Sequence, residues 1–169
     1  ATAGRPLQML GWHILQKMDL IDEFHIDVDK LKNWLEYVEA GYHKENPYHN
    51  ATHATDILQT VYYFLTTGGA QAYVSRIEVL AILLAAMAHD LGHDGKTNDF
   101  HKATLSERAM EFNDQSVQEN YHASRLFMAM KSNPWMDIFS DMTQQQSNLL
   151  RASMIEMILQ TDMSKHFHL

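Results

Sequence analysis

The chain has 169 residues, 46% hydrophobic and 20% charged, which is enough apolar sequence for one sizeable core and predicts a single domain over residues 1–169. The formal net charge of −8 argues against nucleic acid as a partner, because phosphate contacts need a concentrated Lys and Arg surface and no basic run occurs. Cysteine is absent, so disulfides and thiolate metal sites are excluded, and any metal must be held by histidines and carboxylates.

Helical periodicity recurs along the chain without strand-like alternation, and we therefore predict an all-α fold. Apolar residues at helical spacing predict a first helix from Pro6 to Ile21. Asp27 or Asp29 is suited to cap a second helix, whose inner face carries Trp34. A third helix is expected to start near Asn50 and to run to the Thr and Gly residues at 66–69.

The most apolar stretch, residues 77–88, is too short to span a bilayer and predicts a helix buried in the core. Farther along, Thr104–Glu107 and Thr143–Gln146 both fit a capping box, so each predicts the start of a helix. Asn113–Asp114 and Asn133–Pro134 indicate breaks between helices.

Two polar clusters interrupt this apolar pattern. His89 and Asp90 end the buried stretch, with His93 four residues after the first histidine; alone, this pattern would indicate a helix cap. A second cluster lies upstream, where His49 and His53 are one helical turn apart and share a side. His53, His89 and Asp90 together supply two imidazoles and a carboxylate, a ligand set suited to Zn²⁺.

These residue types also indicate a reaction. The second oxygen of Asp90 could bridge to a harder ion such as Mg²⁺ or Mn²⁺, and a water held between two ions becomes hydroxide near neutral pH. Such a hydroxide can attack a phosphodiester, and His49 is well placed to act as general acid for the leaving oxygen. Glu119 and His122 are three residues apart on a predicted helix, and the pattern fits a surface pair as well as a buried functional pair.

Several motifs occur in a characteristic order. They are Asn46-Pro47-Tyr48-His49-Asn50, His53-Ala54-Thr55-Asp56, His89-Asp90-x-x-His93-x-x-x-x-Asn98, Asn113-Asp114-x-Ser116-Val117-x-Glu119-Asn120 and Thr161-Asp162-Met163-Ser164-Lys165-His166. In type, spacing and order they resemble the class I 3′,5′-cyclic-nucleotide phosphodiesterases, from about Pro6 to His166.

The resemblance implies a compact, all-helical, HD-type catalytic domain that hydrolyses the 3′-ester of cAMP or cGMP to the 5′-monophosphate. It implies two divalent ions as cofactors, Zn²⁺ with Mg²⁺ or Mn²⁺. The implied roles are metal ligation by His53, His89 and Asp90, proton donation to the 3′-oxygen by His49, contact with metal-bound waters by His93, Glu119 and Thr161, and a place in the nucleotide pocket for Tyr48 and Met163.

The sequence also departs from the family pattern. Tyr121 replaces the first of two histidines that usually follow Glu119 and Asn120, and Asp94 stands where many members have proline. The family's last third supplies a fourth protein ligand, an aspartate, and the residues that clamp the purine. Because the chain ends at Leu169, we expect an incomplete catalytic domain that lacks this C-terminal part.

Two other interpretations are open. An HD-type phosphohydrolase acting on another phosphoester would use the same His and Asp chemistry, although the Tyr-His-Asn and Thr-Asp-Met-Ser motifs favour a cyclic nucleotide. The chain could instead be a non-catalytic regulatory or interaction fragment of such an enzyme. Either a homodimer or attached regulatory domains would be compatible with the sequence. The absence of a span or signal-like segment predicts a cytoplasmic location, or the cytoplasmic face of a membrane if other regions tether the protein.

Overall fold

A computed structural model describes residues 4–168, with side chains as far as Lys165, and every regular element within that range is helical. The predicted all-α fold is therefore confirmed. The α-helices are α1 (Pro6–Lys17), α2 (Leu20–Glu23), α3 (Val28–Ala40), α4 (Ala51–Thr66), α5 (Arg76–Ala88), α6 (Asn98–Ala103), α7 (Glu107–Glu111), α8 (Val117–Ser132) and α9 (Gln144–Leu159). Short 3₁₀ helices occupy Ala70–Tyr73, Pro134–Met136 and Met163–His168. No helix of this described stretch is both long and apolar enough to cross a bilayer.

Helix α5 occupies the centre of the fold. A capping box fixes its start, because Ser75 Oγ accepts from the Glu78 amide while the Glu78 carboxylate accepts from the Ser75 amide. From Val79 to Ala88 every residue except the half-buried Ile82 is buried. The helix packs chiefly against α9 and α4 and also touches α1 and α8. Its C-terminal end is therefore held in a fixed position deep in the molecule.

Buried side chains of α1 to α5, α8 and α9 form one hydrophobic cluster within the described residues. Trp34 on α3 is fully buried in it, and each such large side chain contributes about 1.5–3 kcal/mol by leaving water. Helices α6 and α7 add no side chain to this cluster in the described part of the chain. They are held near α8 by polar contacts instead.

The helix starts predicted at Asp27 or Asp29, near Asn50 and at Thr143 are confirmed by the caps observed there. Asp27 rather than Asp29 caps α3, and Asn50 caps α4 by accepting from the Thr52 and His53 amides. The Thr143–Gln146 capping box opens α9.

The structure differs from the sequence prediction in two places. The first predicted helix is split, since α1 ends at Lys17 and Asp19 adopts a left-handed φ of +58° before α2 begins. The predicted helix start at Thr104 is wrong. Thr104 ends α6 and its hydroxyl donates to the Phe100 carbonyl, whereas Ser106 caps α7.

Candidate active site

Three side chains from the two polar clusters meet at the end of α5. His53 lies in the first turn of α4, His89 caps α5 at its C-terminus, and Asp90 follows. His53 Nε2 and His89 Nε2 are 3.3 Å apart, and Asp90 Oδ2 lies 3.5 Å and 3.1 Å from them respectively. Tetrahedral zinc with Zn–N of about 2.0–2.1 Å places its ligand atoms about 3.3–3.4 Å apart. The donor set therefore fits a single tetrahedral ion.

Hydrogen bonding orients one of these ligands. His89 Nδ1 lies 2.9 Å from the Ala86 carbonyl and donates to it, so Nε2 faces Asp90 and is the nitrogen left for a proton or a metal ion. Burial alone would lower the pKa of His89, but the Asp90 carboxylate raises it above its ordinary value. Burial alone would raise the pKa of Asp90, but the hydrogen bond from His89 and the surrounding histidines hold it well below its usual range. Asp90 is therefore an anion at neutral pH.

The backbone around Asp90 is braced by the end of α3. The Tyr42 hydroxyl donates to the Met87 carbonyl at 2.8 Å and accepts from the Asp90 amide at 3.4 Å. The Gly92 amide donates to the Gly41 carbonyl at 3.1 Å. Sequence reasoning missed Tyr42, because no local pattern shows that a tyrosine after one helix will reach the end of another.

Asp90 also belongs to a second group of donors, with His93 and His122. His122 on α8 is 1% exposed; its Nδ1 donates to the Leu91 carbonyl at 2.9 Å, and its Nε2 lies 3.9 Å from Asp90 Oδ1. Burial lowers its pKa to about 3, so the ring is neutral at pH 7. The sequence left open whether Glu119 and His122 form a surface pair or a buried functional pair. The structure buries His122 beside the Asp90 carboxylate.

His93 is oriented in the opposite sense. Its Nδ1 accepts from the Gly95 amide at 2.9 Å, so the neutral ring carries its proton on Nε2. Burial and the nearby His49 lower the pKa of His93 to about 4. In this tautomer Nε2 can donate a hydrogen bond to a water, and the lone pair on Nδ1 is already used by the Gly95 amide.

The upstream cluster stacks against this loop. The His49 ring lies parallel to the His93 ring, with centroids 3.9 Å apart and planes 12° apart. Asn46 Nδ2 donates to the carbonyls of both residues, at 3.1 Å for His49 and 2.7 Å for His93. Tyr48 is 63% exposed and its ring centroid lies 4.6 Å from that of His53. Asp56 is exposed and makes no hydrogen bond to His53 within the described residues.

Glu119 lies on α8, and Thr161 and Met163 lie just after the end of α9. Glu119 accepts from Asn98 Nδ2 at 2.9 Å, and burial together with neighbouring carboxylates raises its pKa. The Thr161 hydroxyl donates to the Ile158 carbonyl, which leaves its lone pairs free to accept. Met163 is 63% exposed.

These side chains face a common cleft of about 830 Å³, within the size range of small-molecule sites. Apolar residues of α4, α5 and α9, among them Ile57 and Met157, line its remaining wall. The predicted site residues that line it are Tyr48, His49, His53, His89, Asp90, His93, Glu119, Thr161 and Met163. The fold thus brings every one of them together.

Comparisons with known proteins agree with this geometry. The sequence profile described as 3′5′-cyclic nucleotide phosphodiesterase matches residues 48–169. The mouse (Mus musculus) dual specificity calcium/calmodulin-dependent 3′,5′-cyclic nucleotide phosphodiesterase 1B is 46% identical over 168 residues, covering 99% of this chain and 31% of that protein. The human (Homo sapiens) dual specificity calcium/calmodulin-dependent phosphodiesterase 1C is 38% identical over 168 residues, covering 99% of this chain and 24% of that protein.

A solved structure gives the same result for the fold. The crystal structure of the phosphodiesterase domain of the RhoPDE fusion protein from the choanoflagellate Salpingoeca rosetta superposes with a TM-score of 0.89 at 38% identity. The match covers 96% of this chain and 50% of that one. The chain therefore spans about a quarter to a third of the length of these curated relatives and half of the solved domain.

Proposed function

Because the chain belongs to the 3′5′-cyclic nucleotide phosphodiesterase family, we propose that it forms part of a metal-dependent enzyme that hydrolyses the 3′-phosphoester bond of cAMP and cGMP to the 5′-monophosphates. The convergence of His53, His89 and Asp90 at tetrahedral spacing is the observation that carries the proposal. The names of the related enzymes, which are dual specificity phosphodiesterases, support both nucleotides as substrates.

In this proposal, His53, His89 and Asp90 would hold Zn²⁺. The other carboxylate oxygen of Asp90, which lies on the side of His122, would be available to Mg²⁺ or Mn²⁺. Such ions, when bound, supply positive charge that offsets the phosphate charge and lowers the pKa of water. Asp90 suits a shared position because it stays ionised, which follows from its depressed pKa.

His93, Glu119 and Thr161 are proposed to hold metal-bound waters. His93 donates from Nε2, as its tautomer requires, while the Glu119 carboxylate and the Thr161 hydroxyl oxygen accept. All three side chains line the cleft, so waters that they hold stay beside a bound phosphate.

His49 is proposed to complete the reaction. The water loses one proton to solvent, its oxygen bonds to phosphorus, the bond from phosphorus to the 3′-oxygen breaks, and His49 gives its proton to that oxygen. His49 is half-buried and lies in the cleft against His93, so it can reach a bound phosphate without binding the metal. Tyr48 and Met163 are exposed in the same cleft and are proposed to contact the nucleoside.

The experiment compares two kinds of substrate. Replacing the general acid, His49→Gln, is expected to lower kcat for cAMP and cGMP about 100- to 10,000-fold. The loss should be much smaller for bis(p-nitrophenyl) phosphate, whose phenolate departs without a proton. His13→Gln, at an exposed histidine of α1, is the matched control and should change neither rate. Equal losses on the two substrates would contradict the role proposed for His49.

The same assay separates the alternatives. Hydrolysis of other phosphoesters but not of cyclic nucleotides would favour a different HD-type phosphohydrolase. Activity is measured both on this chain and on a form extended past Leu169 to the length of the matched solved domain. No turnover in either form, with metal bound, would favour a non-catalytic module. A cytoplasmic location, a homodimer and attached regulatory domains remain predictions.

A further inference from the structure

The loop between α5 and α6 is held by side chains that converge on Asp94. Gln118 Nε2 on α8 donates to Asp94 Oδ1 at 2.7 Å, and the Lys96 amide donates to the same oxygen at 3.1 Å. His101 Nε2 on α6 lies 3.3 Å from Oδ2, and Arg108 Nη1 on α7 lies 3.6 Å from it. One carboxylate thus joins the loop to three helices.

The Arg108 guanidinium extends this arrangement to Tyr121. Nη1 donates to Gln118 Oε1 at 2.7 Å and Nη2 to the Gly92 carbonyl at 3.3 Å, while Cζ lies 3.5 Å from the centroid of the Tyr121 ring. Gln118 Nε2 also donates to the Lys96 carbonyl at 2.9 Å, so the loop backbone is held at two points. We name this group the Asp94 clamp, and it consists of Asp94, Arg108, Gln118 and Tyr121.

The clamp adjoins two parts of the active site. Asp94 follows His93 directly in the chain, and Gln118 directly precedes Glu119. The Gln118 backbone amide also donates to Asn98 Oδ1 at 2.9 Å, and the Asn98 side chain donates to the Glu119 carboxylate. A hydrogen-bonded path therefore connects the loop that bears His93 with the helix that bears Glu119.

We propose that Asp94 is a positioning residue, which through Arg108 and Gln118 fixes His93 relative to Glu119, two residues that the proposed function assigns to metal-bound waters. The inference rests on the proposed function, because the roles of those two residues belong to it. Asp94 and Tyr121 are also the positions at which the sequence departs from the family pattern, and Arg108 links them. The loop between α5 and α6 is therefore held by the opposite charges of Asp94 and Arg108 and by the contact of Arg108 with the face of the Tyr121 ring.

The kinetic test uses Asp94→Ala, Asp94→Asn and the control Asp99→Ala, at an exposed aspartate of α6. Misplacing the residues that hold these waters by about 1 Å lowers kcat by about 100-fold, so Asp94→Ala should lower kcat about 10- to 100-fold and leave KM nearly unchanged. Asp94→Asn keeps an oxygen for Gln118 and Lys96 and should recover part of that loss. A change in KM alone, or no recovery with asparagine, would overturn the proposal.

A second readout does not depend on activity. NMR of the ¹⁵N-labelled metal-free chain reports the His93 tautomer, and hydrogen exchange reports the Gly95 amide that donates to its Nδ1. In Asp94→Ala we expect a mixture of His93 tautomers and faster Gly95 exchange, with the His89 signals unchanged. An unchanged His93 ring would overturn the proposal even where cyclic nucleotides are hydrolysed. A wild-type chain that shows no turnover would count against the proposed function but not against the role of Asp94. The NMR result would still test that role.

Discussion

His122 is buried more completely than His89 or His93, and this burial gives it a distinct chemical state. The Leu91 carbonyl accepts a hydrogen bond from its Nδ1, so the lone pair on Nε2 faces Asp90. A second proton on the ring would be buried without solvent, which is why the pKa falls to about 3. His122 is thus kept neutral at pH 7, the state in which an imidazole can bind a metal.

This state predicts a pH dependence of stability for the metal-free chain. The unfolded chain protonates His122 near its ordinary pKa of about 6.5, whereas the folded chain does so only near 3. Because the unfolded state binds the extra proton, His122 lowers the free energy of unfolding as pH falls from about 6.5 toward 3, by up to about 1.4 kcal/mol per pH unit. Above pH 6.5 this effect is absent.

His122→Asn removes the group that takes up a proton in the unfolded chain but keeps a donor for the Leu91 carbonyl. We therefore expect the free energy of unfolding to fall less steeply between pH 6 and 4. Urea unfolding in chelator at successive pH values measures it. His13→Asn, at an exposed position, should keep the wild-type slope. An identical slope in His122→Asn would show that His122 is not the group that resists protonation.

At the scale of elements, capping residues connect local sequence to the metal site. Asn50 fixes the start of α4, and one of the amides that it accepts from is that of His53. Thr143 performs the same capping role at α9, far along the chain from any proposed ligand. The two caps therefore form a matched pair: both are N-terminal side-chain caps, but only Asn50 bonds to the backbone of a proposed ligand.

Replacing either cap with alanine should lower the free energy of unfolding by about 0.5–2 kcal/mol. Only Asn50→Ala should also weaken metal binding, because it frees the turn that aims His53 at His89 and Asp90. Titration with Co²⁺, followed by its visible absorption, measures the affinity. Equal affinities for Asn50→Ala and Thr143→Ala would contradict the link between the α4 cap and the site.

Local signals predicted the elements that local chemistry determines. Asn50 and Thr143 were identifiable because a cap depends on residues within one turn. The choice between Thr104 and Ser106 was not, since it depends on where α6 ends, and six residues are too few to show a helical period. At Asp19 the backbone adopts a left-handed conformation, and the residues around Asp19 give no local signal of this turn.

The site divides in the same way. Spacing placed His49 and His53 on one side of a predicted helix, and the ligand chemistry of His53, His89 and Asp90 joined the two clusters before the order of the family motifs implied the remaining roles. His122 and Tyr42 depend on how α8 and α3 approach α5, which no local pattern contains. The residues that support the site were for this reason harder to predict than those that line it.

At the scale of the whole molecule, the proposed ion joins segments that are distant in the chain. His53 enters from α4 and His89 with Asp90 from the end of α5, so a bound ion would link two helices of the core. A metal that binds only the folded chain raises its stability by mass action. Metal content and folding should therefore change together.

The most direct test of this account is elemental analysis of the purified chain after incubation with Zn²⁺ and removal of excess, with His89→Ala, Asp90→Ala and the control His13→Ala. We expect about one zinc per chain in the wild type and the control, and none in the other two variants, since a structural or catalytic Zn²⁺ site needs at least three protein ligands. Circular dichroism confirms that each variant is folded. A well-folded wild-type chain without zinc, or zinc retained in both ligand variants, would contradict the assignment of His53, His89 and Asp90 as a metal site.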